Sequence, residues 1–366
     1  MNSKSYIKSV FLFVVVLLTA AALTNFLVDP GNIYPKYLSQ EKITTPEVFV
    51  KKLINSRYGL LIPKNIWNER DIKKALAEYP INYDCAVIGS SRIMQISSTR
   101  QNKSLTSNCS NIRNLGVSGG TLEDYLAMSS IILKNSEYLP KTIVFGIDPW
   151  ALNLGKDKRW ARYGQEYFEM KDELLNKYPS TQLNHDNNST GKDLLKNLFN
   201  LQYLDRSLGI ILKPEMGVTT APKIDYDIGF SQPVMLPDGS LIYSSKYIIN
   251  AKKNNNIYGK YNYKTNRKKT YQLSALELFT KLIVHFKNKG INIIFMLVPY
   301  HYDTWSIKNQ LTVESMLLVE QKVYELSQQL KVPLIGSYNP SIVGCSGNDF
   351  FDAMHPKDRC LKKIIK

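Results

Sequence analysis

The chain has 366 residues, of which 44% are hydrophobic and 21% charged, and its formal net charge is +16. This composition excludes a mainly disordered chain and leaves room for one large or two ordinary domains with a substantial buried core. A surface this basic requires an acidic partner, either nucleic acid, an anionic lipid surface or an anionic polymer.

The first predicted element is the uncharged apolar segment 10–28. A helix of this length spans about 28 Å, close to the hydrocarbon thickness of a bilayer. Lys4 and Lys8 precede the segment, and the positive-inside rule therefore places the N-terminus in the cytoplasm. We expect residues 1–29 to form a leader and anchor of a single-pass membrane protein with an extracytoplasmic main domain. A cleaved signal peptide is the alternative, because the alanines at 20–22 suit a peptidase site.

Export of the main domain makes nucleic acid an unexpected partner, so an anionic envelope glycan or the membrane surface better explains the charge. Residues 30–80 predict a stem with short helices.

The four cysteines, Cys85, Cys109, Cys345 and Cys360, would meet an oxidising compartment. Cys85 with Cys109 and Cys345 with Cys360 are the candidate pairs, and free buried thiols remain the alternative.

From residue 81 onwards, predicted strands alternate with predicted helices. The strands are predicted at 83–88, 111–117, 142–147, 291–298 and 332–335, and the helices at 121–134, 271–288 and 312–330. This alternation predicts a three-layer α/β fold with a parallel sheet, in one domain over 81–366. Residues 151–268 break the alternation, and we interpret them as an insertion.

Polar or small residues follow the predicted strands, where ligands of open parallel sheets bind. Ser91 and Arg92 follow the first strand, Gly119 the second, Asp148 the third and His301 the fourth. These strand ends therefore offer a nucleophile and backbone hydrogen-bond donors at one edge of the sheet.

Asp352 and His355 lie three residues apart near the C-terminus. On one tight turn, Asp352 can hold His355 in a single tautomer while His355 removes the proton of Ser91. Taken singly, each residue has an ordinary structural explanation, as a turn serine, a helix-capping aspartate or a surface histidine. Their order along the chain and their positions at element ends favour the catalytic interpretation.

These motifs resemble the SGNH/GDSL hydrolase superfamily. Gly89-Ser90-Ser91 resembles its first block, residues 114–119 (Asn-Leu-Gly-Val-Ser-Gly) its second, and Asp352-x-x-His355 its last. The resemblance covers about residues 80–150 and 270–366. It implies a flavodoxin-like three-layer α/β/α fold in which Ser91 is the nucleophile and Asp352 and His355 are its partners. It also implies an oxyanion hole built from the backbone N–H groups of Ser91 and Gly119.

The third block departs from the superfamily pattern, Gly-x-Asn-Asp, whose Asn donates to the oxyanion. This chain has Gly146-Ile147-Asp148-Pro149 there, and because an ionised carboxylate cannot donate, one oxyanion contact is missing or supplied elsewhere. Membrane-anchored relatives that act on envelope polymers also depart here, and the chain resembles the D-alanyl-lipoteichoic-acid transfer and alginate-acetylation-type proteins. Arg92, Asp148 and His301 are candidate substrate-binding residues.

The expected function is serine-dependent acyl transfer or deacylation of a cell-envelope polysaccharide through an acyl-Ser91 intermediate. A transferase needs an acyl donor from across the membrane, so the resemblance implies a multi-span membrane acyl-export partner. No cofactor is expected, and no metal either, because no His, Cys and carboxylate cluster has metal-ligand spacing. The alternative is a catalytically weak scaffold of the same fold that binds envelope glycan or organises a membrane acylation complex.

Overall fold

The computed structural model describes residues 3–28, 46–62, 68–101, 109–155, 157–176, 195, 198–212, 219–254, 271–305 and 310–365. The helices are α1 (Ser3–Val28), α2 (Pro46–Ile54), α3 (Glu69–Glu78), α4 (Ser98–Gln101), α5 (Leu122–Lys134), α6 (Gly164–Leu174), α7 (Leu201–Leu212), α8 (Ser245–Asn254), α9 (Leu273–Asn288), α10 (Tyr302–Trp305), α11 (Gln310–Leu330) and α12 (Asp358–Ile364). The strands are β1 (Leu60–Leu61), β2 (Cys85–Gly89), β3 (Ile112–Asn114), β4 (Thr142–Gly146), β5 (Val234–Met235), β6 (Leu241–Ile242), β7 (Asn292–Leu297) and β8 (Leu334–Gly336).

The central sheet has five parallel strands in the order β3-β2-β4-β7-β8. These are the five strands predicted from the sequence, with ends that differ by at most three residues. The prediction of an α/β fold with a parallel sheet is therefore confirmed. Gly89 at the end of β2 pairs with Gly146 at the end of β4. The residues that follow these two strands consequently emerge side by side at one edge of the sheet.

Apolar side chains cover both faces of the sheet. In β2, Ala86 and Ile88 belong to the larger cluster, which includes Phe279 of α9. Cys85 and Val87 belong to a second cluster, which includes Leu361 of α12. A strand with both faces buried must be apolar at every position, and this is why β2 reads as a continuous apolar run.

The predicted stem and the predicted insertion meet in a second, three-stranded sheet with the order β1-β5-β6. Its pairing is antiparallel, with Leu60 opposite Met235. The insertion also contacts the central sheet, because the N–H of Asn114 donates to Asp238 O at 2.7 Å. The described parts of residues 46–80 and 219–254 are thus built into the domain. The predicted boundary between anchor and stem, at residues 29–30, lies outside the described residues.

Among the described helices, only α1 is long and apolar enough to cross a membrane, with a mean hydropathy of 2.5 over its most apolar stretch. Nearly all its side chains before residue 21 are exposed to the surroundings. Its last turns pack against α7.

Two disulfides join the four cysteines in the pairs Cys85–Cys109 and Cys345–Cys360. The first connects the start of β2 to the segment before β3. The second brackets the segment that contains Asp352 and His355 and connects it to α12.

Candidate active site

The candidate nucleophile lies in a tight turn directly after β2. Ser91 begins a short 3-10 helix, Ser91–Ile93, and the hydroxyl of Ser90 caps it by accepting from the Arg92 N–H at 3.2 Å. Ile93 then folds back over the strand ends, so that a Cβ on Gly146 would lie 2.3 Å from Ile93 Cγ2. Residue 146 must therefore be glycine for the turn to pack in this way. The turn leaves Ser91 partly exposed at the edge of the sheet.

The three predicted catalytic residues form one hydrogen-bonded chain. Ser91 Oγ lies 2.9 Å from His355 Nε2, and His355 Nδ1 lies 2.7 Å from Asp352 Oδ2. The other carboxylate oxygen, Asp352 Oδ1, accepts from the backbone N–H groups of Met354 and His355, both at 2.8 Å. This arrangement assigns the proton of His355 to Nδ1 and leaves Nε2 facing the serine hydroxyl.

The carboxyl group of Asp352 is stabilised in its ionised form. Burial by itself would raise its pKa, but the charge and hydrogen bond of His355 oppose this effect, as do hydrogen bonds from Tyr247 and from the Met354 N–H. Together they hold the pKa of Asp352 well below its ordinary value. Asp352 is therefore a carboxylate at neutral pH and can orient the imidazole.

Tyr247 of α8 belongs to this group, although the sequence did not indicate it. Its hydroxyl donates to Asp352 Oδ2, and its oxygen lies 3.1 Å from His355 Nδ1. Tyr243 extends the contact, with its ring 4.5 Å from that of Tyr247 and 5.6 Å from that of His355. The chain has 23 tyrosines, and no spacing distinguished these two within the predicted insertion.

The loop after β3 lies against the serine turn. Val117 N–H donates to Gly89 O at 3.0 Å, and a Cβ on Gly120 would lie 2.6 Å from the same oxygen. Gly119 has a φ of +59°, which glycine adopts readily. The predicted oxyanion glycine is therefore adjacent to the turn that holds Ser91.

A second residue that sequence reasoning missed covers this glycine. A Cβ on Gly119 would lie only 2.0 Å from Arg159 Nη2, so the guanidinium group rests directly on the glycine. The half-exposed Arg159 side chain is held by Asp157, with 2.8 Å between Nε and Oδ2. Hydrogen bonding and charge from Arg159 also lower the pKa of Asp157. Only tertiary structure brings Arg159 to the site, since it lies in an irregular part of the sequence.

Two of the candidate substrate-binding residues, Arg92 and Asp148, lie below the site in a buried ion pair. Arg92 Nη1 lies 2.6 Å from Asp148 Oδ1. Arg92 Nε donates to Met354 O at 3.1 Å, and Nη2 donates to Val298 O. The guanidinium also lies 3.6 Å from the ring centre of Tyr300. Arg92 therefore connects the ends of three strands to the segment that carries Asp352 and His355.

His301, the third candidate, supports the same segment from another direction. Its backbone N–H donates to Ala353 O at 2.9 Å. Its ring Nδ1 accepts from the Asp303 N–H at 3.1 Å, and the ring contacts Phe350 edge-on with 5.5 Å between centres. The structure does not include His301 in the hydrogen-bonded chain of Ser91, His355 and Asp352.

Within the described residues, no group of three or more His, Cys, Asp or Glu side chains could hold a metal ion. Comparison with models of known protein families gives no match, and comparison with curated protein sequences gives no significant match.

Proposed function

We propose that this chain is a membrane-anchored SGNH-type serine enzyme that transfers or hydrolyses O-acyl groups of a cell-envelope polysaccharide. The observation that carries the proposal is the continuous chain from Ser91 Oγ through His355 to Asp352, with distances of 2.9 and 2.7 Å. A serine hydroxyl becomes a nucleophile when an oriented base removes its proton, and these distances suit that transfer.

The reaction has two halves. In the first, His355 Nε2 takes the proton of Ser91 while Oγ attacks the acyl carbonyl carbon, and the imidazolium then protonates the departing alcohol oxygen. This leaves the acyl group esterified to Ser91. In the second half, His355 deprotonates water or a sugar hydroxyl, which attacks the ester, and the proton returns to Ser91 Oγ. Asp352 stabilises the imidazolium in both halves.

The negative charge on the carbonyl oxygen is stabilised by the backbone N–H groups of Ser91 and Gly119 together with Arg159. Asp148 cannot replace the donor that the third block lacks, because it is paired with Arg92. Arg159 lies on Gly119 and brings a positive charge to the place where the oxyanion forms. A single donor at such a position contributes on the order of 100- to 1000-fold in rate.

The fold also supports the proposal. The order β3-β2-β4-β7-β8 is the 2-1-3-4-5 order of flavodoxin-like sheets, when the strands are counted within the sheet. Helices α9 and α12 contribute to the apolar clusters on opposite faces. These features favour the three-layer α/β/α arrangement of SGNH hydrolases, with the active site beyond the carboxyl ends of the strands.

We place the main domain outside the cytoplasm, with α1 as the anchor. Lys4 and Lys8 before the apolar segment favour a cytoplasmic N-terminus, and two disulfides suit an oxidising compartment. The net charge of +16 suits an anionic envelope glycan or the membrane surface. If the chain is a transferase, a multi-span membrane partner delivers its acyl donor.

Substitution of the nucleophile and the base tests the proposal. Ser91→Ala and His355→Ala should each abolish fluorophosphonate labelling and the hydrolysis of an activated acyl ester by the purified full-length chain. Ser341→Ala, at an exposed serine, and His285→Ala, in α9, are matched controls that should keep both activities. Labelling of Ser91→Ala at the unsubstituted level would overturn the assignment.

One observation favours a second candidate function, a scaffold that binds glycan without turnover. The Arg159 guanidinium lies directly over Gly119 and so restricts the space beside the predicted oxyanion glycine. A scaffold would leave envelope acylation normal in a strain that carries Ser91→Ala, whereas an enzyme would lose it.

A further inference from the structure

The domain contacts the end of the apolar helix α1 through α7. Asn25 lies one turn before the end of α1 and is completely buried. Its amide Nδ2 donates to Leu198 O at 2.8 Å, and its Oδ1 accepts from the Ser207 hydroxyl at 2.9 Å. A polar side chain in a membrane-spanning helix is costly unless it is hydrogen-bonded. Residues 198–207 provide that hydrogen bonding, so the contact between α1 and α7 is specific.

A different side of α7 carries an exposed apolar stripe. Tyr203 and Ser207 are buried, and Ser207 contacts α1. The residues of the stripe are Leu201, Leu208, Ile211 and Leu212, with exposed fractions between 42% and 79%. At 100° per residue these four residues fall on one side of the helix, about 120° away from Tyr203 and Ser207. Exposed Asp205 lies at the margin of the stripe.

We propose that α7 lies in the membrane interface beside α1, with this stripe inserted among the lipid chains of the leaflet nearest the domain. The inference rests on the membrane anchor proposed above and is independent of the acyl chemistry. An apolar stripe of four large side chains, flanked by a polar margin, is typical of helices that lie in the interface plane. The domain would then be held to the bilayer at two places and have a defined orientation.

Lipid is the occupant that the neighbouring structure favours. The stripe is on a helix that packs against the final turns of α1, which places it at the depth where α1 leaves the hydrocarbon. A net charge of +16 also draws the domain towards anionic headgroups. A second copy of the chain is the alternative occupant of the stripe. Fluorescence quenching of labels in the stripe distinguishes contact with lipid from contact with protein.

The test uses the full-length chain in vesicles of phosphatidylcholine and phosphatidylglycerol, with an environment-sensitive NBD label on one introduced thiol. The four native cysteines are paired, so only the introduced thiol reacts. The labelled variants are Leu208→Cys and Leu212→Cys in the stripe, Val16→Cys in α1, and Leu273→Cys at the start of α9. Leu273 is the matched control, because its exposed fraction is 76% and that of Leu212 is 75%.

We expect the labels at 16, 208 and 212 to be quenched by spin-labelled lipid and protected from aqueous iodide, and the label at 273 to behave in the opposite way. Iodide quenching at 208 and 212 with lipid quenching at 16 would overturn the inference and leave the anchor intact. Iodide quenching at 16 would overturn both. Labels at 208 and 212 that neither quencher reaches would show a protein contact and also overturn the inference.

Discussion

Arg92 and Asp148 form a buried ion pair with 2.6 Å between Nη1 and Oδ1, and Arg92 directly follows the candidate nucleophile Ser91 in the chain. The same guanidinium donates to Met354 O, within the segment that carries the candidate base. The relative positions of Ser91 and His355 therefore depend on a charge pair that solvent does not reach. This pair is part of the support of the site, and it has a measurable consequence for stability.

Replacement of one partner should be strongly destabilising. In Asp148→Asn the charge of Arg92 stays buried without compensation, and we expect the free energy of unfolding to fall by about 3–5 kcal/mol. Denaturant unfolding of the full-length chain measures this change. Asp71→Asn is the control, because it breaks an exposed pair with Arg162 and should cost less than about 1 kcal/mol. Equal effects of the two substitutions would contradict the prediction.

Loss of the Tyr247 hydroxyl should slow catalysis without removing the catalytic residues. The hydroxyl donates to Asp352, and hydrogen bonds to charged groups contribute about 1.5–3 kcal/mol. We therefore expect Tyr247→Phe to lower kcat for ester hydrolysis by roughly 10- to 100-fold, with little change in KM. Tyr324→Phe removes the hydroxyl of an exposed tyrosine in α11 and should leave kcat unchanged. An unchanged kcat in Tyr247→Phe would show that the hydroxyl has no role in positioning the base.

Arg159 should contribute to the reaction through its charge. In Arg159→Gln the group over Gly119 becomes neutral, and we expect kcat to fall by roughly 100- to 1000-fold. Arg159→Lys keeps a charge and should recover part of that loss. Arg162→Gln is the matched control, because Arg162 lies in the same short helix, Arg159–Tyr163, and is also half-exposed. A faster reaction in Arg159→Gln would mean that the guanidinium blocks the site, as the scaffold alternative implies.

Lys73 should make the free energy of unfolding depend on pH in the alkaline range. Its buried ammonium donates to Asn114 O at 2.8 Å and to Gly239 O at 2.6 Å, and burial lowers its pKa from 10.5 to about 8. Between these two values the unfolded chain binds more protons than the folded chain, so the contribution of Lys73 to stability rises with pH.

Paired unfolding curves of the unsubstituted chain and Lys73→Met, recorded from pH 7 to about pH 10, measure this contribution. The stability difference should move in favour of the unsubstituted chain as the pH rises through about 8. A difference that stays constant over this range would contradict the lowered pKa.

The central sheet could be predicted because buried parallel strands leave a local signal. Residues 291–298 are almost all apolar, since both faces of the resulting strand β7 are covered. The small sheet was not predicted, because β1, β5 and β6 each have two residues. A two-residue strand shows no alternation, even where its partner is close in the chain, as for β5 and β6. The pairing of β1 with β5 joins residues about 175 positions apart. The pairing of β1 with β5 therefore depends on the folded chain.

The residue types and positions of the candidate triad could be predicted from the sequence. Ser91 closely follows a predicted strand, and Asp352 and His355 form a recognisable motif. Tyr247 and Arg159 were not, because their roles arise from neighbours distant in sequence. Their own surroundings in the chain are irregular and carry no period.

Hydrophobic patterns and short motifs are local properties, and they are enough to indicate the kind of chain this is. From such patterns the sequence predicts an apolar helix near the N-terminus, an α/β domain with a parallel sheet, and Ser91, Asp352 and His355 as the candidate catalytic residues. The partners of the charged side chains, in contrast, follow from how the chain folds. Asp148 pairs with Arg92 below the serine turn, while Arg159 covers Gly119. These contacts depend on burial and on the distances between segments that are far apart in the chain. Neither quantity can be read from the local sequence.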